Sequence, residues 1–320
     1  MKNILNVTSS PHIKHSDTTS GIMLDVIIAL LPACVFGCIL FGWHAAAVLL
    51  TTVASAVLSE FLWCLILKKP HTVGDFSAVV TGLILGMNLP PSLPIWMAAI
   101  GGAVAIIVVK QMFGGLGCNF ANPALTARIV LLVSFAGAMS TFTMPVTTDT
   151  VTSATPLTYI SETSLSVQAN VPTFKNLFFG MHSGCIGETS AFLLLVGGLY
   201  LVLRRVISVI TPLFFIGTVA LLTFISGDNV VISVFGGGLM IGAIFMATDY
   251  ATTPTTPLGK LIFGIGCGVI TFVIRKFAAL PEGVSYAILI MNILTPYINQ
   301  FTLSKPFGYI KPVKEEKVNE

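Results

Sequence analysis

The stretch Asp149-Thr150-Val151-Thr152-Ser153-Ala154-Thr155-Pro156 carries the side chains best suited to covalent chemistry. A threonine hydroxyl can be esterified by a phosphate only where its neighbours let a bulky donor approach. Ser153 and Ala154 are small, and Pro156 favours an extended backbone at Thr155. Asp149 could help a metal-bound phosphate donor approach, because Mg²⁺ prefers carboxylate and phosphate oxygens. The same letters also fit a Ser/Thr-rich surface loop, and a short motif does not by itself decide between the two. What surrounds it narrows the choice.

The surroundings are membrane-like. The chain of 320 residues is 55% hydrophobic and 9% charged, with a mean hydropathy of +0.93. That composition excludes an ordinary soluble domain. The net charge of +3 comes from basic residues scattered over short loops and tails, so it is no nucleic-acid footprint. Residues 1–20 are polar and show no cleavable leader.

A helix needs about 20 apolar residues to cross a bilayer. Ten candidates follow, near 22–42, 44–66, 76–90, 94–112, 122–138, 188–204, 207–226, 229–248, 259–276 and 283–300. Several are short or interrupted: 76–90 ends in Leu89-Pro90-Pro91, and 229–248 holds Gly236-Gly237-Gly238. Broken helices are tolerated where backbone lines a protected cavity. The expected fold is an all-α membrane protein with about ten spans. Its expected parts are a cytoplasmic segment 1–20, a first membrane repeat 21–138, an outer loop 139–187, a second membrane repeat 188–300 and a cytoplasmic tail 301–320. With the N-terminus inside, most Lys and Arg residues face the cytoplasm, and only Lys175, Arg275 and Lys276 fall outside. Thr155 is then on the outer face.

The two blocks carry a weak internal repeat. Gly82-Leu83-Ile84-Leu85-Gly86 resembles Gly238-Leu239-Met240-Ile241-Gly242, and Gly102 precedes Lys110 by the interval at which Gly268 precedes Lys276. Two halves with an odd number of spans each must be inverted, a plan shared by many transporters and channels.

Charge inside a membrane is costly, so each intramembrane ionisable group is a functional candidate. Asp25, Glu60 and Asp249 are the candidate ion-pathway acids. Asp25 also suits a helix start at the interface. Glu60 also suits a snorkelling pair with Lys68 and Lys69. Asp75, at a helix start, reads as an N-cap. Arg128 follows Asn122-Pro123-Ala124, a helix-start pattern, and fits either an anionic ligand or a buried acid. Asp249 stands among hydroxyls in Ala247-Thr248-Asp249-Tyr250-Ala251-Thr252-Thr253-Pro254, where it fits an ion, a cofactor edge or a plain turn. The cysteines, six in number, show no zinc or iron–sulfur spacing, and no disulfide or metal site is expected. Phosphate-loop, dinucleotide and His-Glu-x-x-His motifs are absent.

The Asp149…Thr152-Ser153-Ala154-Thr155 stretch resembles the flavinylation motif Asp-x-x-Ser/Thr-Gly/Ser-Ala-Thr. That motif belongs to the D subunit of Rnf complexes and the related B subunit of Na⁺-translocating NADH:quinone oxidoreductase. Ser10-Pro11-His12, Gly21-Ile22-Met23-Leu24-Asp25, Ala29-Leu30-Leu31-Pro32-Ala33, Asn122-Pro123-Ala124 and Met246-Ala247-Thr248-Asp249 look like the same family. The sequence departs from the pattern at Ser153, where Gly is common, and at Tyr250, where Pro often follows the acid. The resemblance implies FMN on Thr155 through a phosphoester, installed from FAD by a separate flavin transferase. Asp149, Ser153 and Ala154 would flank it, and Asn122, Arg128 and Asp249 are candidate flavin contacts. It also implies a second flavin, riboflavin, in the membrane portion. The partners would be the other components of an inner-membrane complex, including a second FMN-bearing one. That complex would pass electrons between ferredoxin and NAD⁺ and move Na⁺ or H⁺. Two other classes fit the inverted repeat without redox work: a small-solute channel or transporter, and a membrane scaffold.

Overall fold

The computed structural model describes residues 18–69, 72–144, 156–157, 173–188, 190–278 and 282–303. Everything regular among them is helical. The first block contains α1 (Thr19–Phe41), α2 (Trp43–Ile66), α3 (Ser77–Met87), α4 (Ile95–Gln111), α5 (Pro123–Ser134) and the short α6 (Ala136–Met139). A short α7 (Phe174–Phe179) precedes the second block. That block contains α8 (Ala191–Leu203), α9 (Ile210–Ser226), α10 (Val230–Phe235), α11 (Leu239–Ile241, continued by a π-wound turn Gly242–Met246), α12 (Pro257–Phe277) and α13 (Val284–Thr302). The chain is an all-α, multi-pass membrane protein. α1, α2 and α12 are long and apolar enough to span a bilayer alone, and five shorter apolar helices accompany them. Large apolar side chains stay on the outside, among them Ile39, Trp43, Phe224, Phe277 and Phe301, as lipid contact requires.

Helix starts follow local chemistry. Asn122 accepts from the backbone N–H of Ala124 and Leu125, with Pro123 at the first helical position. Asn229 caps α10 in the same way, and Thr256 caps α12 ahead of Pro257. Asp75 does not cap α3. It ends a separate 3₁₀ turn, Val73–Asp75, and α3 begins after the left-handed Phe76 with no side-chain cap.

The expected interruptions are present and sharper than hydropathy indicates. Segment 229–248 is two pieces, because Gly236 leaves the helix and Gly237 takes a φ of +73°, which a side chain rarely adopts. Segment 122–138 breaks at Phe135. α4 winds as a π-helix over Ala105–Gln111. Both π-wound turns end beside one cavity, and such turns cluster at functional sites.

The two blocks repeat one packing plan. A Cβ added to Gly102 of α4 would lie 2.8 Å from the Thr52 carbonyl oxygen on α2. One added to Gly268 of α12 would lie 2.6 Å from Thr218 Cβ on α9. The lysines that follow each glycine also correspond. Lys110 pairs with Glu60 of α2 at 2.8 Å, and Lys276 pairs with Asp228, just after α9, at 2.7 Å.

Candidate functional site

Two polar clusters lie inside this apolar body, one around the break at Gly236-Gly237-Gly238 and one beside the ends of the two π-wound turns. The first surrounds Gly236-Gly237-Gly238. Arg128 projects from α5 and pairs with Glu282, donates 2.7 Å to Ser285 Oγ, and stands 3.8 Å from Glu188 Oε1. The turn His182–Glu188 reaches into the bundle, where Ile186 N–H donates to the Leu89 carbonyl at 3.2 Å. A Cβ on Gly238 would meet Glu188 Oε1 at 3.1 Å and both Arg128 and Asn88 at 3.9 Å. Glycine is therefore what lets these charges converge on the backbone. The acids and thiol of Cys185, Glu188 and Glu282 lie within 4.8 Å of one another. Arg128 already stands among them, so a cation there would face a fixed positive charge. Burial first, then the Glu188 charge, pushes the Cys185 thiol above its ordinary value, which keeps it protonated and inert. Burial lowers the His182 pKa, against the opposing pull of Glu188 and of the Asn176 backbone.

Pro156 and Leu157 dock at this break. Both are buried; Pro156 Cβ comes within 3.4 Å of a Cβ built on Gly236, and Leu157 Cδ1 fills the space a Cβ on Gly237 would need. Phe235, just before the break, packs its ring against Phe174 and Phe178. Thr155, Asp149, Ser153 and Ala154 lie outside the described residues. Pro156, which directly follows Thr155 in the chain, is seated at the broken helix.

The second cluster lines an open cavity between the blocks. Its polar lining is Ser77, Thr81, Lys110, Asn119, Asn122, Thr248 and Asp249; the rest is mainly aliphatic, with Phe245 and Tyr250. Asn122 Nδ2 donates to the Met246 carbonyl at 3.4 Å, so one cap joins the two blocks. With its amide oriented to suit its neighbours, Asn292 accepts from Asn122 N–H and donates to the Thr252 carbonyl, each at 3.2 Å. Asp249 accepts from Thr252 Oγ1 at 3.1 Å, and its backbone carbonyl accepts from Thr253 Oγ1 at 2.6 Å. Tyr250 donates to the Val206 carbonyl, so the residue standing where Pro is common ties this loop to the end of α8.

The candidate acids have specific partners. Glu60 is fully buried and does not reach Lys68 or Lys69. Its Oε1 accepts from Lys110 at 2.8 Å, Gln111 at 3.0 Å and Thr72 at 2.7 Å. A snorkelling pair fails because α2 turns Glu60 towards the protein while both lysines are exposed past its end. Asp25 is also buried, accepting from Tyr200 at 2.8 Å and pairing with Arg204 at 3.1 Å. Arg128 has an acidic partner in Glu282. Thus Asn122 and Asp249 share the cavity, Glu60 touches it through Lys110, and Asp25 and Arg128 stand apart.

Sequence reasoning passed over Asn88, His182, Glu188, Arg275 and Glu282. Their signal was faint: each lies at the edge of an apolar segment, where a charge reads as loop. Glu188 follows Gly187, whose added Cβ would meet Met87 Cβ at 2.6 Å, and such a close approach is not written in local sequence.

Fold and clusters define an integral membrane protein whose polar chemistry is built at helix breaks shared between two repeats. The family model described as the NQR2, RnfD, RnfE family matches residues 6–308, and the chain belongs to that family. It is 46% identical over 315 residues, covering 98% of both chains, to the D subunit of the Na⁺-translocating ferredoxin:NAD⁺ oxidoreductase complex of Acetobacterium woodii. It is 42% identical over 321 residues, covering 96% of this chain and 97% of the other, to the proton-translocating counterpart of Clostridium ljungdahlii. The D subunit of an ion-translocating oxidoreductase complex from Rhodobacter capsulatus is 37% identical over 311 residues, covering 86% of each chain.

Proposed function

We propose that this chain is the D subunit of an ion-translocating ferredoxin:NAD⁺ oxidoreductase complex, with FMN esterified to Thr155 and a second flavin, riboflavin, in the cavity between the blocks. The observation that carries this reading is full-length similarity to D subunits together with the Asp149-to-Thr155 stretch. Bound flavin would supply one- and two-electron transfer. The residues on hand suit such groups. The cavity offers apolar walls for a flat ring, with Asn119, Asn122 and Asp249 for its polar edge. The break at Gly236–Gly237 seats Pro156 and Leu157 and so fixes one end of the tether.

In this reading the termini are cytoplasmic and Thr155 is on the outer side. The partners are the other components of the complex, including a second FMN-bearing one, and a flavin transferase acts during maturation. Coupling to ion movement is a free-energy linkage between two sites: a carboxylate near a redox centre holds a cation more tightly when that centre gains negative charge. Asp249 is the better placed carboxylate for this, because Glu60 and Asp25 already have Lys110 and Arg204 as counter-ions. The related D subunits are named for Na⁺ in one organism and H⁺ in another, so the carried ion is one of these two.

The test is ultraviolet fluorescence of the polypeptide on a denaturing gel, after co-expression with an active flavin transferase. The parent is expected to fluoresce and Thr155→Val to lose at least roughly nine-tenths of the signal, the all-or-none change a single attachment site requires. A dark parent returns the chain to the channel class, which has no need of a flavin. Equal fluorescence in both moves the attachment to another residue.

A further inference from the structure

We propose that the end of α8 and the starts of α9 and α12 form a binding site for the phosphate headgroup of an anionic phospholipid. A separate cavity opens there, and its lining includes Arg205, Ser208, Thr211, Thr253, Thr255 and Lys260 but no described carboxylate. Neither Arg205 nor Lys260 forms an ion pair with a described residue. The acids around the cavity are engaged elsewhere. Asp25 lines an adjoining cleft with Arg205 but is held by Arg204 and Tyr200. Asp249 lines the cavity between the blocks and accepts from Thr252. Thr211 is 2% exposed, and its hydroxyl has no hydrogen-bond partner among the described residues. Two cations and several hydroxyls with no acid among them select an anion. Phosphate suits both, since its oxygens accept from an arginine fork and from a lysine ammonium.

The backbone holds Arg205 at this cavity against its own preference. α8 ends in a turn where Arg205 N–H donates to the Val202 carbonyl and Val206 N–H to the Leu201 carbonyl, each at 2.9 Å. Arg205 takes a φ of +58° there, at the position a helix end ordinarily gives to glycine. A charged side chain is thus kept where it costs backbone strain. Tyr250 donates to the Val206 carbonyl and ties this turn to the loop that carries Thr253 and Thr255. Thr211 lies in the first turn of α9 and Lys260 in the first turn of α12, and helix starts favour an anion. What borders the cavity points to lipid as the source of that anion. Leu203, Val209, Leu213, Leu258 and Ile262 are all exposed. α12 is long and apolar enough to span a bilayer, so its first turn lies at a membrane surface. A headgroup among the cations can then run its acyl chains along the apolar faces of α9 and α12. Basic pockets between spanning helices are where anionic headgroups bind.

Native mass spectrometry of the full chain in detergent, with added phosphatidylglycerol or phosphatidylcholine, tests this. The parent is expected to bind phosphatidylglycerol about 25-fold more tightly, because each basic residue at a membrane surface contributes roughly fivefold toward an anionic lipid. The preference falls to about fivefold in Arg205→Gln or Lys260→Gln and to about one in the double variant. Lys68→Gln, which removes a lysine from the same kind of turn at the end of α2, keeps the parent preference. Arg205→Gly separates binding from folding. It relaxes the left-handed backbone, so its melting temperature in lipid-free detergent is expected to match or exceed the parent's while the lipid preference falls. A parent preference near one, or a preference that survives the double substitution, overturns the proposal. An Arg205→Gly variant that melts earlier makes Arg205 a structural residue and overturns its assignment. Sodium phosphate that raises the parent's melting temperature as much as equimolar phosphatidylglycerol overturns the lipid source in favour of a soluble anion. A preference present in the isolated chain and absent from the purified complex also overturns it, because a neighbouring subunit then covers the cavity.

Discussion

Lys110 with Glu60 and Lys276 with Asp228 are one interaction in two settings. Each lysine follows a helix-contact glycine at the same interval and reaches back to an acid on or beside the helix which that glycine touches. The distances nearly match, 2.8 and 2.7 Å, but the side chains of the first pair are 2% and 0% exposed and those of the second 35% and 19%. Geometry is shared between the repeats while the surroundings differ. In the first block the pair is drawn into the body and gains Ser77, Thr72 and Gln111 as further partners, beside the cavity. In the second it stays near the rim. A repeat thus holds its backbone contacts more strictly than the dielectric around its charges, and the buried copy is the one that faces the cavity.

The largest expected effect is on that copy. Lys110→Met or Glu60→Gln alone leaves a buried group without its partner and is expected to lower stability by about 3–5 kcal/mol. The double substitution is expected to recover much of that loss, because neither charge is then stranded. Thermal unfolding of the detergent-solubilised chain would read both, and a double variant no better than the singles would undo the parallel. Next come the glycines. Gly102→Val and Gly268→Val should each cost about 1–3 kcal/mol from overpacking against α2 and α9. A large cost in one and none in the other would show that the blocks do not share a helix contact. Smallest is the rim pair: Asp228→Asn is expected to change stability by about 0–1 kcal/mol, fading as salt is raised. A loss as large as that of Glu60→Gln would mean that the rim pair is as dry as the buried one.

The same contrast extends to the break between α10 and α11. There the charges converge on Gly236-Gly237-Gly238, and Asn88, Glu188, Arg128 and Arg275 arrive from four different segments. At the cavity, Asn122 and Asp249 were visible because each sits in a short run of polar letters within an apolar sequence. Glu188 and Glu282 were not, since a single acid at the end of an apolar run looks the same whether it faces water or an arginine.

Local sequence determined the helical class, the membrane setting, the breaks at Pro90 and Gly237, and the helix start at Asn122-Pro123. Hydropathy, ring closure and capping act over a few residues, so they can be read along the chain. It also raised Thr155 as the attachment point through motif alone. Only the tertiary structure decided which charge meets which: Glu60 with Lys110 rather than Lys68, Asp25 with Arg204, Arg128 with Glu282, and Leu157 with Gly237. These partners lie 50, 179 and 154 positions apart in the three ion pairs. Coulomb attraction in a low-dielectric body selects partners by distance in space and by how completely water is excluded, and neither quantity is carried by neighbouring letters.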